Sequence, residues 1–178
     1  PSERRLSGSK TKSLQAVLDD TVSSGGQLLV FVSSRASAQK EARDLSEHVL
    51  KILNSEDGTY YSQTDEEWSK FSSRINRRQE STSVGKSLSN SIKGGVAFHH
   101  AGLTSKQRSI VEDAFKEGSL NCIVATPTLA QGVNLPARRV VIRDYRRWNT
   151  AASASMPLPI MEIRQMMGRA GRPKYDEH

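Results

Sequence analysis

The chain has 178 residues, of which 35% are hydrophobic and 25% are charged, which favours one polar globular domain long enough to bury a core. It holds no run near the roughly 20 apolar residues of a membrane span, and its first residues lack a signal peptide's apolar region. We therefore expect a cytoplasmic protein without a membrane partner. The net charge of +7 favours a polyanionic partner, although a solvated basic surface would give the same charge.

The positive charge is concentrated towards the end of the chain. Residues 138–178 hold nine Lys and Arg residues against four Asp and Glu residues, so we expect an anionic partner to bind there. The first residues, "PSERR", and the last, "YDEH", resemble the ends of an excised fragment. We expect residues 1–178 to be a single, monomeric domain excised from a larger protein.

The first half of the chain alternates between amphipathic stretches and an apolar run. Helical spacing predicts helices over 10–26 and 33–53, and the run "QLLVFV" at 27–32 predicts a strand buried on both faces of a sheet. Residues 54–93 are rich in Ser, Asn, Gln and charge. We interpret them as a variable loop followed by a loosely amphipathic helix, in part mobile, and assign them no chemistry.

The second half continues the alternation. Thr104 and Gln107 have the spacing of a capping box and open a predicted helix over 104–118. Three further strands are predicted at 95–100, 120–125 and 138–143. The lone Cys122 falls in one of these buried strands, where core packing is a better interpretation than a reactive thiol. Strands that alternate with helices predict an α/β fold with a mainly parallel sheet flanked by helices.

Ligands of such sheets bind beyond the carboxyl ends of the strands, so function is expected in the loops that follow them. The stretch "ATPTLAQGVNLPA" (125–137) leaves a buried strand and reaches Gly132 and Asn134. Hydroxyl and backbone N–H groups there suit a phosphate, and Gly132 allows close approach of a ligand. A capped helix and a plain turn remain an alternative interpretation.

A second candidate stretch, "QMMGRAGRP" (165–173), holds Arg169 and Arg172 around a glycine turn. Arginine presents several fixed donors and keeps its charge, which suits bidentate contact with phosphate. Cations that match the dipole at a helix end are the alternative. No phosphate-cradling loop accompanies the two arginines anywhere in the sequence.

The histidines of "FHHAGL" (98–103) raise the question of a metal. Adjacent residues of a strand point to opposite faces and chelate one ion poorly, and no cysteine pair or spaced histidine accompanies them. We predict no metal site here, and interpret His100 as part of a loop near nucleic acid.

The stretches "VFVSSR", "ATPTLAQGVNLPA" and "QMMGRAGRP", in this order, resemble motifs IV, V and VI of the second RecA-like lobe of superfamily-two helicases. The resemblance covers residues 10–178, and the three motifs together are specific where each alone is not. The forms "HHAGL", "GVNLPA" and "QMMGRAGRPKYDE" are similar to the Ski-two-like branch, and most of all to its archaeal DNA repair helicases. A three-layer RecA-like domain is the fold that this resemblance implies.

The resemblance also implies why the arginines lack a phosphate loop. In this family ATP and Mg²⁺ are held mainly by a first lobe, and the second lobe supplies arginines across the cleft. Arg169 and Arg172 match the arginines that contact the γ-phosphate, and Gln165 matches the glutamine that opens motif VI. Gly132 and Asn134 match the nucleotide side of motif V, where many relatives carry an acidic residue instead of Asn134.

Contacts to the nucleic-acid backbone are implied by the same resemblance, and contacts of this kind do not read sequence. The matching residues are Ser33, Ser34 and Arg35 of motif IV, His100 of the "HHAGL" loop, and Thr126 and Thr128 of motif V.

Residues 144–163 separate this branch from plainer relatives. The archaeal repair helicases carry there a β-hairpin that separates duplex strands, so a hairpin insertion is expected. Arg146 and Arg147 suit phosphate, and Trp148 is expected to be partly exposed and to stack on a base. The alternative is that Tyr145, Trp148, Met156 and Leu158 simply pack the hairpin onto the domain.

The implied function is the second motor lobe of an ATP-dependent 3′–5′ DNA helicase that acts on single-stranded or forked DNA with the first lobe of its own chain. We expect the 178-residue chain alone to be inactive. Two alternatives stay open: an RNA helicase of the same branch, and a non-enzymatic nucleic-acid-binding module. The intact "GRAGR" argues against the second alternative.

Overall fold

A computed structural model describes residues 13–55, 61, 65–76 and 82–171 of the chain. Over these ranges, none of the helices has the length and apolar character needed to cross a bilayer. Arg172 and the residues that follow it lie outside the described part.

Four short strands form one parallel sheet, in the order β2-β3-β1-β4. Each lies inside a range that the apolar runs predict, so those predictions are confirmed. Every residue of β1, β2 and β3 is buried, whereas the residues of β4, an outermost strand, are partly buried. Cys122 opens a buried strand, as expected, and burial raises the pKa of its thiol. The strands are β1 (Leu28–Phe31), β2 (Val96–His99), β3 (Cys122–Ala125) and β4 (Arg139–Ile142).

Helices cover the sheet. The chain crosses from β1 to β2 in one direction and from β2 to β3 in the other, so right-handed connections place α2 and α5 on opposite faces. The predicted α/β fold with a mainly parallel sheet flanked by helices is therefore confirmed. The helices are α1 (Ser13–Ser23), α2 (Arg35–Leu53), α3 (Asp65–Asn76), α4 (Ser83–Ile92), α5 (Ser105–Lys116), α6 (Thr128–Gly132) and α7 (Ile160–Met167).

Local hydrogen bonds explain where two of these helices begin. The Thr104 hydroxyl accepts from the Gln107 N–H, and the Gln107 side chain accepts from the Thr104 N–H, which is the predicted capping box of α5. The hydroxyl of Ser34 accepts from the N–H of Ser37 at 3.1 Å and caps α2. Each cap satisfies donors that a helix start would leave open.

The prediction for residues 54–93 was a loop and one helix. The structure shows two helices there, α3 and α4. They pack against each other through small residues, and the hydroxyls of Ser72 and Ser89 are hydrogen-bonded in this contact. Trp68 of α3 is fully buried and donates its indole N–H to the carbonyl of Ser119 at 2.9 Å. Helices α3 and α4 thus contribute to the core.

Gly95 lies directly against that indole ring, at the start of β2. Its φ is +71°, and a Cβ added there would lie 2.4 Å from Cζ2 of Trp68. The position therefore requires glycine both for its backbone conformation and for space.

The predicted hairpin insertion is present as a separate antiparallel pair. Its strands are β5 (Arg146–Asn149) and β6 (Ala154–Pro157), and Arg146 lies opposite Pro157. A backbone bond of 2.8 Å from the N–H of Leu158 to the carbonyl of Tyr145 closes the base of the hairpin.

Candidate functional site

The carboxyl ends of the four parallel strands meet at one edge of the sheet. The strand order places the loops after them in a row: His100 after β2, Thr126 after β3, Ser33 after β1 and Asp144 after β4. Most of the predicted site residues therefore lie along one edge, where ligands of open α/β sheets bind.

The loop after β3 and the turn after α7 are joined by backbone hydrogen bonds. The N–H of Ala137 donates to the carbonyl of Arg169 at 2.9 Å, and the N–H of Gly171 donates to the carbonyl of Ala137 at 2.8 Å. Together they form a parallel bridge between Ala137 and Ala170. The two stretches singled out in the sequence are therefore one structural unit.

Side chains join the same two stretches. The guanidinium of Arg169 donates to Oδ1 of Asn134 at 3.0 Å and to the carbonyl of Ala130. These contacts use part of its five N–H donors and fix the plane of the fork. Arg169 and Asn134, predicted to lie at one nucleotide site, are therefore in contact, while the second arginine of the pair, Arg172, lies outside the described residues.

Two further residues of the predicted nucleotide side are open to solvent. Gln165, in the last turn of α7, is exposed. Gly132, which ends the short helix α6, is also exposed, and a Cβ added there would meet nothing within 4 Å. The chain's own packing thus leaves room beside Gly132, and its predicted contact with a ligand stays a prediction.

The hydroxyls of Thr126 and Thr128 stand next to each other, with their Oγ1 atoms 3.1 Å apart. The N–H of Thr126 donates to the carbonyl of His99 at 3.2 Å, which ties this loop to the end of β2. Thr128 is exposed and Thr126 half-buried. The pair can donate to an oxygen beyond the sheet edge, as the prediction requires.

The motif IV residues have different surroundings from one another. Ser33 donates its N–H and its hydroxyl to Oδ2 of Asp144, at 2.9 and 3.2 Å. Ser34 caps α2, and Arg35 opens that helix with an exposed side chain. Of the three, Arg35 is the residue best placed to meet an external phosphate.

Asp144 is the centre of an ionic cluster at the start of the hairpin region. Arg143 donates to both of its carboxylate oxygens, at 2.9 and 2.8 Å, and also to Glu41 of α2. Burial of Asp144 raises the pKa of its carboxyl, but the hydrogen bonds from Arg143 and Ser33 outweigh this and lower the pKa overall. The residue is therefore ionised at neutral pH and holds motif IV against the hairpin base.

His100 was predicted to contact nucleic acid, but its side chain is buried. The ring stacks on Phe98, its Nδ1 accepts from the N–H of Gly102 at 3.0 Å, and its Nε2 lies 3.1 Å from Nε2 of Gln39. Its pKa is lowered, mainly by burial and also by the charge of Arg35. We correct its role to shaping the "HHAGL" loop from within.

The neighbouring His99 faces the other side of the sheet, where its Nε2 lies 2.8 Å from Oε1 of Glu112 in α5. The two histidines thus point to opposite faces, as strand geometry predicts. Among the described residues, no group of three or more His, Cys, Asp and Glu side chains is arranged to hold a metal ion.

The hairpin carries an exposed aromatic residue. Trp148 is 67% exposed, in agreement with the expectation, and Tyr145 and Met156 are also exposed. Only Leu158 of the four residues that might pack the hairpin onto the domain is buried, so that alternative interpretation is wrong for the other three.

The two arginines of the hairpin are bound within the protein. Arg146 donates to the backbone carbonyl of Ser155. Arg147 donates from two nitrogens to the two oxygens of Glu162 in α7, each at 3.0 Å. Both guanidinium groups thus have partners within the protein, and their contact with phosphate stays a prediction.

Sequence reasoning missed the acidic partners of this site, Asp144 and Glu162. Each had a signal: Asp144 directly follows a predicted strand, and Glu162 precedes motif VI in a region otherwise poor in acidic residues. An acidic residue in a basic region is a candidate partner for a buried or half-buried arginine.

Comparisons with known proteins identify the family of the chain. Residues 70–174 match the helicase conserved C-terminal domain. The chain is 39% identical over 176 residues to the ATP-dependent DNA helicase Hel308 of Methanocella arvoryzae, which covers 99% of this chain and 23% of that protein. It is 40% identical over 178 residues to the protein of the same name from Caldivirga maquilingensis, covering 99% of the chain and 22% of the relative.

A third relative, ATP-dependent DNA helicase Hel308 of Thermoplasma acidophilum, is 42% identical over 167 residues, which cover 93% of the chain and 22% of that protein. The chain thus spans less than a quarter of the length of these relatives. The family match includes β2, β3 and β4, the hairpin, α7 and the bridge between Ala137 and Ala170. This chain belongs to the helicase conserved C-terminal domain family.

Proposed function

We propose that the chain is the second motor lobe of an ATP-dependent 3′–5′ DNA helicase. The observation that carries the proposal is the junction of the two candidate stretches, where Arg169 binds Asn134 and Ala130 and its backbone pairs with Ala137. A rigid arginine at the open edge of a RecA-like sheet suits a phosphate that arrives from a facing lobe. The names of the relatives, ATP-dependent DNA helicases, support the same assignment.

The nucleotide half of the site is proposed to comprise Gln165, Arg169 and Arg172, with Gly132 and Asn134 beside the nucleotide. The donor set fits an anion, because it offers guanidinium and amide N–H groups. ATP and Mg²⁺ would be held mainly by the first lobe, and hydrolysis transfers the γ-phosphoryl group to water. The role of these side chains is to orient the phosphates and stabilise charge that develops in the transition state.

The nucleic-acid half is proposed to lie along the same sheet edge and on the hairpin. Arg35, Thr126 and Thr128 present donors to a single strand, and Ser33 and Ser34 shape the neighbouring turn. Such backbone contacts bind DNA without reading its sequence. Closing and opening of two lobes around ATP would then move the strand along this edge.

The hairpin is proposed to separate the strands of forked DNA. It is a closed antiparallel ribbon, and it carries Trp148 with 67% of its surface exposed. An exposed indole can stack on a base that has left the duplex. Residues 144–163 would accordingly act where duplex becomes single strand.

ATP turnover by the 178-residue chain, and by a longer protein that also carries the first lobe, tests the proposal. Each is measured with single-stranded DNA, with single-stranded RNA and without nucleic acid. We expect a silent chain and a DNA-stimulated longer protein, because the chain supplies half of the nucleotide site. Stimulation by RNA alone would assign the lobe to an RNA helicase, and turnover by the chain alone would contradict the half-site.

Trp148 gives a second test. Replacement by Ala in the longer protein is expected to weaken binding of forked DNA by about 1–3 kcal/mol, the usual worth of one stacked base, and to slow unwinding. ATP turnover stimulated by single-stranded DNA should change little. Trp148→Phe is the control, since it keeps an aromatic face, and it should restore most of the unwinding. Equal loss in both variants would argue against stacking.

A further inference from the structure

The contact between Arg147 and Glu162 links the hairpin to α7, the helix that leads into motif VI. Nη1 and Nη2 of Arg147 each lie 3.0 Å from a different oxygen of Glu162, so the two planar groups meet in parallel. The Glu162 side chain is 17% exposed and that of Arg147 is 48% exposed. Such bidentate pairs fix orientation as well as distance.

The alternation of side chains between the two faces of the hairpin explains why Arg147 contacts this helix. Successive side chains of a strand point to opposite faces, so Arg147 and Trp148 lie on different faces of the hairpin. Arg146 shares the face of Trp148 and reaches the backbone of Ser155 there. Arg147 alone of the two arginines is therefore directed to α7.

The other end of the contact is connected to the nucleotide half. Glu162 lies in the first turn of α7, one turn before Gln165, and the helix is anchored by Met166, which is fully buried. The chain then runs directly to Arg169. In the part of the chain that the structure describes, no other side-chain hydrogen bond joins the hairpin to α7. Beside the short backbone link through Leu158 and Pro159, a displacement of α7 would thus reach the hairpin through Glu162.

We propose that the Arg147–Glu162 pair is a latch that transmits the position of motif VI to the hairpin, so that ATP turnover drives strand separation. Arg147 is on this proposal a positioning residue and not a phosphate contact, which revises the role that the sequence suggests. The proposal rests on the proposed function, because it needs both a nucleotide beside motif VI and a duplex at the hairpin.

The test uses Glu162→Gln and Arg147→Gln in the longer protein that carries both lobes. The charge and the bidentate contact are lost. Gln keeps nearly the shape of Glu162, and the Arg147 side chain is 48% exposed, so folding should be little affected. We expect the number of base pairs unwound per ATP to fall roughly five-fold or more, the lower range of usual coupling between sites. Turnover with single-stranded DNA should stay within about twofold of the wild type.

Glu47→Gln is the matched control, since it removes the same charge from an exposed position of α2, and it should unwind like the wild type. The double variant Arg147→Glu with Glu162→Arg tests the pairing itself. It should recover unwinding relative to Arg147→Glu alone, and hydrogen exchange of amides 146–156 should rise in the single variants and fall again in the double one.

Three outcomes would overturn the latch. One is a Glu162→Gln protein that unwinds normally per ATP. Another is an Arg147→Gln protein with weaker, less salt-dependent DNA binding while Glu162→Gln is unchanged, because that pattern marks a direct phosphate contact. The third, a wild-type protein without DNA-stimulated turnover, would overturn the proposed function as well, and it is distinguished by appearing before any substitution is made.

Discussion

Arg172→Ala is expected to reduce DNA-stimulated ATP turnover by the longer protein that also carries the first lobe by roughly 10³-fold or more, the usual range for arginines that stabilise phosphoryl transfer. The residue lies outside the described residues, and the expectation rests on its place in "GRAGR", three residues after Arg169. Charge builds on the γ-phosphoryl oxygens in the transition state, and a positioned cation stabilises it without reorganisation. Steady-state turnover at saturating single-stranded DNA measures the effect.

Binding of single-stranded DNA by the same variant should be nearly unchanged, because Arg172 is not among the proposed contacts with the strand. Arg164→Ala is a suitable control: it removes an arginine from the neighbouring helix α7, where its side chain is exposed. If turnover survived in Arg172→Ala, or fell as far in Arg164→Ala, the assignment of Arg172 to the γ-phosphate would be wrong.

Gly95→Ala is expected to destabilise the fold by about 2–6 kcal/mol, through left-handed backbone strain and overpacking together. The φ of +71° disfavours any side chain, and the added methyl group would lie 2.4 Å from Cζ2 and 2.6 Å from Cε2 of Trp68. That ring is fully buried and hydrogen-bonded to Ser119, so it cannot easily move away. The free energy of unfolding in urea measures the loss.

Gly118→Ala separates the two causes. Gly118 has a similar φ of +82°, but nothing lies within 4 Å of an added Cβ, so only the backbone cost of roughly 1–2 kcal/mol applies. The difference between the two variants therefore reports the contact with Trp68. Equal losses would mean that Trp68 does not pack against Gly95 as the structure shows.

The sheet was the most predictable part of the chain, for a physical reason. Strands buried on both faces are continuous apolar runs, and these runs stand out from their polar flanks, as "QLLVFV" does. The order of the strands was not predictable in the same way. It depends on which helices cover which face, and nothing in a single run encodes its neighbour.

Helices α3 and α4 were the least predictable elements, because small polar side chains share the packing of α4 with the large apolar ones. Helix α4 buries Gly85, Ser89 and Ser91 beside Leu88 and Ile92, so small polar residues occupy positions where a pattern search expects hydrophobic ones. Their hydroxyls are hydrogen-bonded locally, as Ser91 is to the carbonyl of Leu88. Burial of this kind leaves little trace in the hydrophobic pattern.

At the candidate site, the sequence indicated residues but not their partners. Arg169 and Asn134 were both predicted to lie beside a nucleotide, yet their mutual hydrogen bond depends on the bridge between Ala137 and Ala170. The partner of Arg147 depends in the same way on the register of the hairpin and on the position of α7. Such contacts follow from tertiary geometry, which residue type and spacing do not specify.

The backbone bond that closes the hairpin at Tyr145 and Leu158 has a consequence for engineering. Residues Arg146 to Pro157 form a hairpin that does not pair with the four-stranded sheet, so its length is independent of that sheet. Residue pairs added or removed at the turn near Ser153 would change the reach of the ribbon without shifting Arg169 or the strands. The cost of loop closure rises slowly with length, so the length of the hairpin can be adjusted while the rest of the domain stays the same.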